Sequence, residues 1–267
     1  MKKYYYVHTG HRIGLDRFRR SVALLKALQD DEITLLTSDF RIAHIARDFG
    51  IKQSVGIDVV RNIPQIAHAG DILIFDSDEA NEIMLEDMKE YFSTFIQIPN
   101  DEVIVDTKYF AMQKQQKSVP ITYFFGDDDY EKDLQKHFDF IEDIDPALML
   151  GFYYFLDYEE MLKEKFSSVY EFEEYDEMIA STNILLTASP QAVLDSLASG
   201  GKPIYFQRED YPKDFIKIFE SFGVPIVNNY KKDELNHILD TIDLRNYQIN
   251  ELNSNKIENV IKDSLNL

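Results

Sequence analysis

Apolar and polar positions along the first hundred residues switch regularly between a period of two and a period near 3.6. Tyr4–His8, Glu32–Thr37, Ile72–Phe75 and Thr94–Ile98 are short runs rich in aromatic and branched residues, and each reads as a strand. Between them, Phe18, Val22, Leu25 and Leu28 recur at spacings of three and four, which predicts a helix over Arg17–Gln29. Ser38 or Asp39 is placed to cap a second helix whose Ile42, Ile45, Ala46 and Phe49 share a face, with Gly50 to end it. Met84, Met88 and Tyr91 mark a third. The polar run Met112–Ser118 interrupts the alternation, and the pattern then restarts. Val119–Phe125, Leu148–Phe155, Asn183–Ala188 and Pro203–Phe206 are the next strands. Helices are expected over 130–140, 157–165, 174–181, 190–199, 212–222 and 231–241. The segment from Asn246 to Leu267, with Ile249, Leu252, Ile257 and Ile261, is expected to be a helix docking on the body. Strand and helix in alternation imply parallel sheets with right-handed crossovers. The expected fold is α/β, with an N-terminal domain over 1–115 and a C-terminal domain over 116–267, the two facing each other across a cleft.

Composition narrows the function classes. Of 267 residues, 45% are apolar and 28% charged, enough to bury a sizeable core. No cysteine is present, which removes disulfides, thiolate metal sites and a cysteine nucleophile. The net charge of −20, from 48 acids against 28 bases, repels phosphate backbones and anionic lipid at long range. Nucleic acid is therefore not an expected partner. No run approaches the roughly 18 apolar residues of a membrane span, and the start carries no secretory pattern, so a cytoplasmic protein is expected.

Open parallel sheets put ligands at the carboxyl ends of their strands, so chemistry is sought there. The loop His8-Thr9-Gly10-His11-Arg12-Ile13-Gly14-Leu15-Asp16-Arg17 joins the first strand to the first helix. Its small residues admit a ligand to the backbone, and Arg17 and Arg20 are suited to holding a phosphate or carboxylate. A solvated loop with surface arginines is the plainer reading. Asp76 and Asp78 follow a strand and are placed to line the cleft. Phe125-Gly126-Asp127-Asp128-Asp129 places three acids at a helix start, where they serve as cap and dipole compensation; beside a phosphate they would be repulsive unless a divalent ion intervened. Ser189 lies in the small-residue turn before the helix that carries Asp195, a carboxylate able to take a pair of sugar hydroxyls or simply to face solvent. Nucleophile elbows and Walker-type phosphate loops are absent.

At these loops the chain resembles the UDP-sugar hydrolase family of pseudaminic acid biosynthesis, relatives of the MurG-type glycosyltransferases. That family carries Ile-Gly-x-Gly-His-x-x-Arg near its start, and Ile13-Gly14-Leu15-Asp16-Arg17-Phe18-Arg19-Arg20 keeps the spacing with Ile13, Gly14 and Arg20 matched. Phe125-Gly126-Asp127-Asp128 stands where the family has Gly-Gly-x-Asp, Leu194-Asp195-Ser196 where it has Asn-Glu-Ala, and Gly201-Lys202-Pro203 matches. The resemblance implies a GT-B-like fold of two Rossmann-like parallel-sheet domains and a nucleotide sugar, UDP-linked, as ligand. It implies Gly14, Arg17, Arg20, Gly126, Ser189 and Asp195 as binding residues, no metal, no other cofactor, and a place in surface-glycan or flagellin-sugar metabolism. The family's catalytic histidine is replaced by Arg17, which cannot accept a proton near neutral pH. His11 and Asp16 are the substitutes within reach in sequence. The expectation is binding with little hydrolysis; the alternative is a non-catalytic homologue that binds, regulates or assists a protein partner.

Overall fold

The computed structural model describes residues 1–30, 32–141, 143–228, 231–247 and 255–265. They form two compact units, each described below by itself.

Unit 1 alternates β1 (Lys3–Val7), α1 (Asp16–Leu28), β2 (Ile33–Thr37), α2 (Phe40–Ile45), β3 (Ser54–Gly56), α3 (Ile63–Ile66), β4 (Ile72–Asp76), α4 (Glu82–Tyr91) and β5 (Thr94–Gln97). The five strands are parallel in the order β3-β2-β1-β4-β5. Tyr4, Tyr5 and Tyr6 are buried in the middle of this sheet. Aromatic residues suit a two-sided buried strand only if each hydroxyl finds a partner. Tyr4 donates to the Ile66 carbonyl, Tyr5 to Asp76 and Tyr6 to Glu79. Tyr4, Tyr6, Leu73 and Phe75 share one face and pack with Ile63, Met88 and Phe92. Asp39 caps α2 as expected, and Gly50 sits at φ +88°. β3 and α3 carry too few residues for a periodic signal.

Unit 2 runs α5 (Thr107–Ala111), β6 (Val119–Phe124), α6 (Phe138–Ile141), β7 (Ala147–Met149), α7 (Leu156–Lys165), β8 (Val169–Tyr170), α8 (Tyr175–Ser181), β9 (Thr182–Thr187), α9 (Pro190–Ala198), β10 (Lys202–Phe206), α10 (Ile216–Ser221), β11 (Ile226–Val227) and α11 (Lys232–Thr241). Its six parallel strands are ordered β11-β10-β9-β6-β7-β8.

The apolar run expected to be one long strand stops at Met149. Gly151 follows, and a Cβ there would lie 2.4 Å from the Gly126 carbonyl oxygen. Tyr153 then donates its N–H to the Asp127 carbonyl at 2.8 Å. Residues 150–155 are apolar because several are buried in this crossing, not because they are paired in a sheet. The helix expected over 130–140 is a 3₁₀ turn, 133–137, leading into the short α6.

The units divide between Asp106 and Thr107, nine residues before the expected boundary. Tyr109 and Lys108 of α5 both reach Asp176 in unit 2. The last described element, α12 (Asn255–Leu265), belongs to unit 1 and packs on α1, with Ile257, Ile261 and Leu265 buried. Ile249 and Leu252 lie outside the described residues.

Candidate functional site

Each sheet has a point where the strand order reverses, between β1 and β4 in unit 1 and between β6 and β9 in unit 2. Neighbouring loops part there, and the carboxyl ends of the two strands leave room for a ligand. These two places organise every candidate residue.

In unit 1, the loop after β1 folds on itself: Ile13 and Gly14 both donate backbone N–H groups to the Gly10 carbonyl, at 3.0 and 2.9 Å. Gly14 adopts φ +72°, so its place here is conformational. Arg17 lies in the first turn of α1. Its Nη1 donates to Asp78 Oδ1 at 3.0 Å, its Nη2 to Asn100 Oδ1 at 3.3 Å, and its Nε is 3.7 Å from Asp76. One turn on, Arg20 is buried. Its Nε donates to Asp76 Oδ2 at 2.8 Å, Nη2 to the other carboxylate oxygen, and Nη1 to the Asn100 carbonyl at 2.8 Å. Asp76 is fully buried and takes the Tyr5 hydroxyl as well.

Arg20 therefore ties α1 to the ends of β4 and β5 and has no face left for a ligand. The two arginines expected to grip an anion thus have partners inside unit 1: Asp76 and the Asn100 carbonyl for Arg20, Asp78 and the Asn100 side chain for Arg17.

His8, which directly follows β1, completes the group. Its Nδ1 lies 3.1 Å from Asp78 Oδ1, and its Nε2 lies 3.7 Å from Glu79 Oε1. Glu79 is held through its other oxygen by Tyr6 and Ser77. The hydrogen bond from His8, with help from Arg17, keeps the Asp78 carboxyl well below the usual carboxylate range against the effect of partial burial. The side chain of His8 retains 18% exposure and that of Asp78 43%. His11 sits instead beside Arg41, at 3.2 Å, and Asp16 opens α1.

In unit 2, Gly126 takes φ +139°, a conformation that side chains rarely adopt, just past the end of β6. The three acids that follow are all buried. Asp129 accepts backbone N–H groups from Asp133 and Leu134 and the Tyr158 hydroxyl, the capping role expected of it. Asp128 pairs with Arg208, whose Nη2 is 3.0 Å from Oδ2 and whose Nη1 donates to the Asp128 carbonyl at 2.9 Å. The guanidinium also binds Asp210 and lies over the rings of Phe125 and Tyr211, at 4.6 and 4.1 Å. Burial pushes the Asp128 carboxyl up to about 6, while Arg208 and Tyr211 pull it down. Asp128 and Asp129 thus have partners of their own and do not stand open toward a phosphate. Among the described residues, no group of three or more acids and histidines is arranged to hold a metal ion.

Ser189 caps α9 by accepting the Ala192 N–H at 3.1 Å, and Pro190 occupies the first helical position. Asp195 is 1% exposed; Gln191 donates to one of its oxygens at 2.9 Å and Tyr175 to the other at 3.0 Å. It joins α9 to α8 inside unit 2, where the expected sugar contact requires an open carboxylate.

Sequence reasoning missed Arg208 and Glu79, and named His8 only as the first residue of its candidate loop. Their partners are 80, 73 and 70 residues away in the chain, and no local spacing signals such pairs.

No protein-family model matches the chain, and no curated protein matches it in sequence. Solved structures do. The Methanocaldococcus jannaschii UDP-GlcNAc 2-epimerase, solved with UDP-GlcNAc and UDP, is 11% identical over 100% of both chains, with a TM-score of 0.63. The glycosyltransferase SnogD from Streptomyces nogalater is 12% identical over 90% of this chain and 91% of its own, with a TM-score of 0.50. At such identity the likeness is one of fold. The chain is an α/β protein of the GT-B type, built from two Rossmann-like parallel-sheet units.

Proposed function

We propose that this protein binds a nucleotide sugar, UDP-linked, and acts on its glycosyl group by transfer or hydrolysis. The observation that carries this reading is the partly exposed set His8, Arg17, Asp78, Glu79 and Asn100 at the switch point of unit 1. Three carboxylates against two guanidiniums leave this group with a negative excess, which with the Asn100 amide suits a neutral ligand rich in hydroxyls better than an anion. The GT-B architecture supports the nucleotide part by analogy with the UDP-bound epimerase, which is an argument from fold and not from a shared site. By the resemblance, Gly126 and Ser189, at the switch point of unit 2, are proposed as ligand-binding residues of that unit. The resemblance at Ile13-Gly14 and Gly201-Lys202-Pro203 supports a role in surface-glycan or flagellin-sugar metabolism. A cytoplasmic site of action fits the cysteine-free composition, and no helix among the described residues is long and apolar enough to cross a membrane.

A second reading, a non-catalytic accessory protein, is favoured by Arg17, which stands where the resembled family has its histidine and is pinned by Asp78 and Asn100. Thermal unfolding with UDP, UDP-GlcNAc and other nucleotides tests both. A ligand of the native state at a hundred times its Kd adds about 2.7 kcal/mol. No stabilisation by any nucleotide or nucleotide sugar overturns the main reading.

A further inference from the structure

We propose that the groove between α3 and α4 of unit 1 is a binding site for a free amino acid with a large apolar side chain. The groove shares no residue with the switch point, so the proposal stands whether or not the protein binds a nucleotide sugar.

The chain builds the groove from two unequal helices. α3, entered through the 3₁₀ turn 60–62, precedes β4, and α4 follows it. Both pack on the sheet face of Tyr4, Tyr6, Leu73 and Phe75. α3 has four residues against ten in α4, so it leaves part of that face uncovered. The gap is a cavity of about 240 Å³. Its floor is Val60, Ile63, Met88 and Phe92, all buried. Met84 and Tyr91 form a partly buried wall, and the Tyr91 hydroxyl is anchored on the Ala67 carbonyl at 3.2 Å. A dry apolar cavity of about 150 Å³ takes benzene, so this one has room for a phenyl ring and the carbons that carry it. Methionine suits such a lining, because its unbranched thioether adapts to the shape of a guest.

The rim supplies contacts for a head group. Arg61 stands on the α3 side and Asp87 on α4, and both are exposed. Arg17, Arg20, Arg41 and Arg208 each hold a carboxylate of this chain. Among the described residues, Arg61 holds none and Asp87 has neither a cation nor a hydrogen-bond donor. Glu86, one residue before Asp87, is already taken by Lys89 at 2.7 Å. An uncharged guest would leave both rim groups unpaired. A plain anion or cation would meet one partner and be repelled by the other. A carboxylate for Arg61, an ammonium for Asp87 and an apolar side chain for the floor, all on one carbon, satisfy the three features together.

L-Phenylalanine is the probe. The chain has seven methionines, and methyl-labelled spectra report on each. Titration to about 10 mM, the weak end of ligand affinity, should move the Met84 and Met88 signals, assigned by Met84→Leu and Met88→Leu. Met149 and Met178 of unit 2 should stay in place. Arg61→Gln and Asp87→Asn, both at exposed positions, should each weaken binding about tenfold, the effect of losing one charge-assisted hydrogen bond. 3-Phenylpropionate, which lacks the ammonium, and 2-phenylethylamine, which lacks the carboxylate, should bind the wild type more weakly by a similar factor. Unmoved Met84 and Met88 signals, or an affinity unchanged in either variant, overturn the proposal. Binding of 3-phenylpropionate or 2-phenylethylamine as tight as that of L-phenylalanine also overturns it, in favour of a simple apolar acid or amine. Signals of Met84 and Met88 that shift with protein concentration alone overturn it in favour of a second copy of this chain.

Discussion

The two switch points use the same chemistry in opposite ways. In unit 1 a buried pair, Arg20–Asp76, lies under a second layer, Arg17, Asp78 and His8, that keeps contact with solvent. In unit 2 the corresponding acids lie inside: Asp128 and Arg208 are 1% and 4% exposed. Removing an ion pair from water costs several kcal/mol per charge unless partners replace the lost hydration. Unit 2 therefore uses its acids to hold backbone in place, and unit 1 keeps ionisable groups where a ligand can meet them. A carboxylate at a strand end is not by itself a binding group; its exposure decides.

The largest effect expected from this contrast is in the arginines. Arg208→Ala leaves Asp128 buried and unpaired, and should cost about 3–5 kcal/mol. Arg17→Ala removes a part-exposed pair and should cost about 1 kcal/mol or less. Urea unfolding of both variants measures this, and equal losses would end the distinction between the two switch points.

A smaller effect separates the units by pH. Burial depresses His137, which contacts the Tyr123 hydroxyl in unit 2, to about 4 from an ordinary 6.5. The unfolded chain then binds the proton first as pH falls, so this contribution is full above about 6.5 and lost between 6.5 and 4. Asp128 works in the opposite sense: its raised value favours the fold at low pH, and that contribution is lost as pH rises from 3.8 to about 6. The two offset in the wild type. His137→Gln should unmask the Asp128 slope, with a relative change of about 3 kcal/mol across the window. Asp78 in unit 1 is lowered, so its contribution falls away only below the ordinary carboxylate range. In His137→Gln, hydrogen exchange read separately in each unit should show unit 2 losing protection as pH rises from 3.8 to about 6. A response confined to unit 1 would contradict the comparison.

The smallest effect concerns backbone approach. A Cβ at Gly151 meets the Gly126 carbonyl at 2.4 Å, so Gly151→Ala should cost about 1–3 kcal/mol. A Cβ at Gly10 in unit 1 meets nothing within 4 Å, so Gly10→Ala should leave the melting temperature near that of the wild type. A reversed order would show that the unit 1 loop, and not the unit 2 crossing, is the tightly packed one.

Much of this protein was legible before folding. Alternating periods are local properties, and they marked the main strands, α1, α9 and the Asp39 cap, because backbone hydrogen bonding and side-chain direction depend on near neighbours. The loops at the switch points followed from that alternation, and Gly14 and Gly126 lie in them with positive φ. The tertiary structure alone decided what the polar residues in those loops do. Arg17 and Arg20 are one helical turn apart and identical in type, yet Asp76, 56 residues beyond Arg20, buries one of them and leaves the other partly open. Leu150–Phe155 reads as strand because burial and strand pairing select the same apolar residues, and only the approach of Gly151 to Gly126 tells them apart. Local periodicity determines which element a residue joins. Pairing between charges depends on distances that only the packed chain defines, so the function of a charged residue is settled in three dimensions.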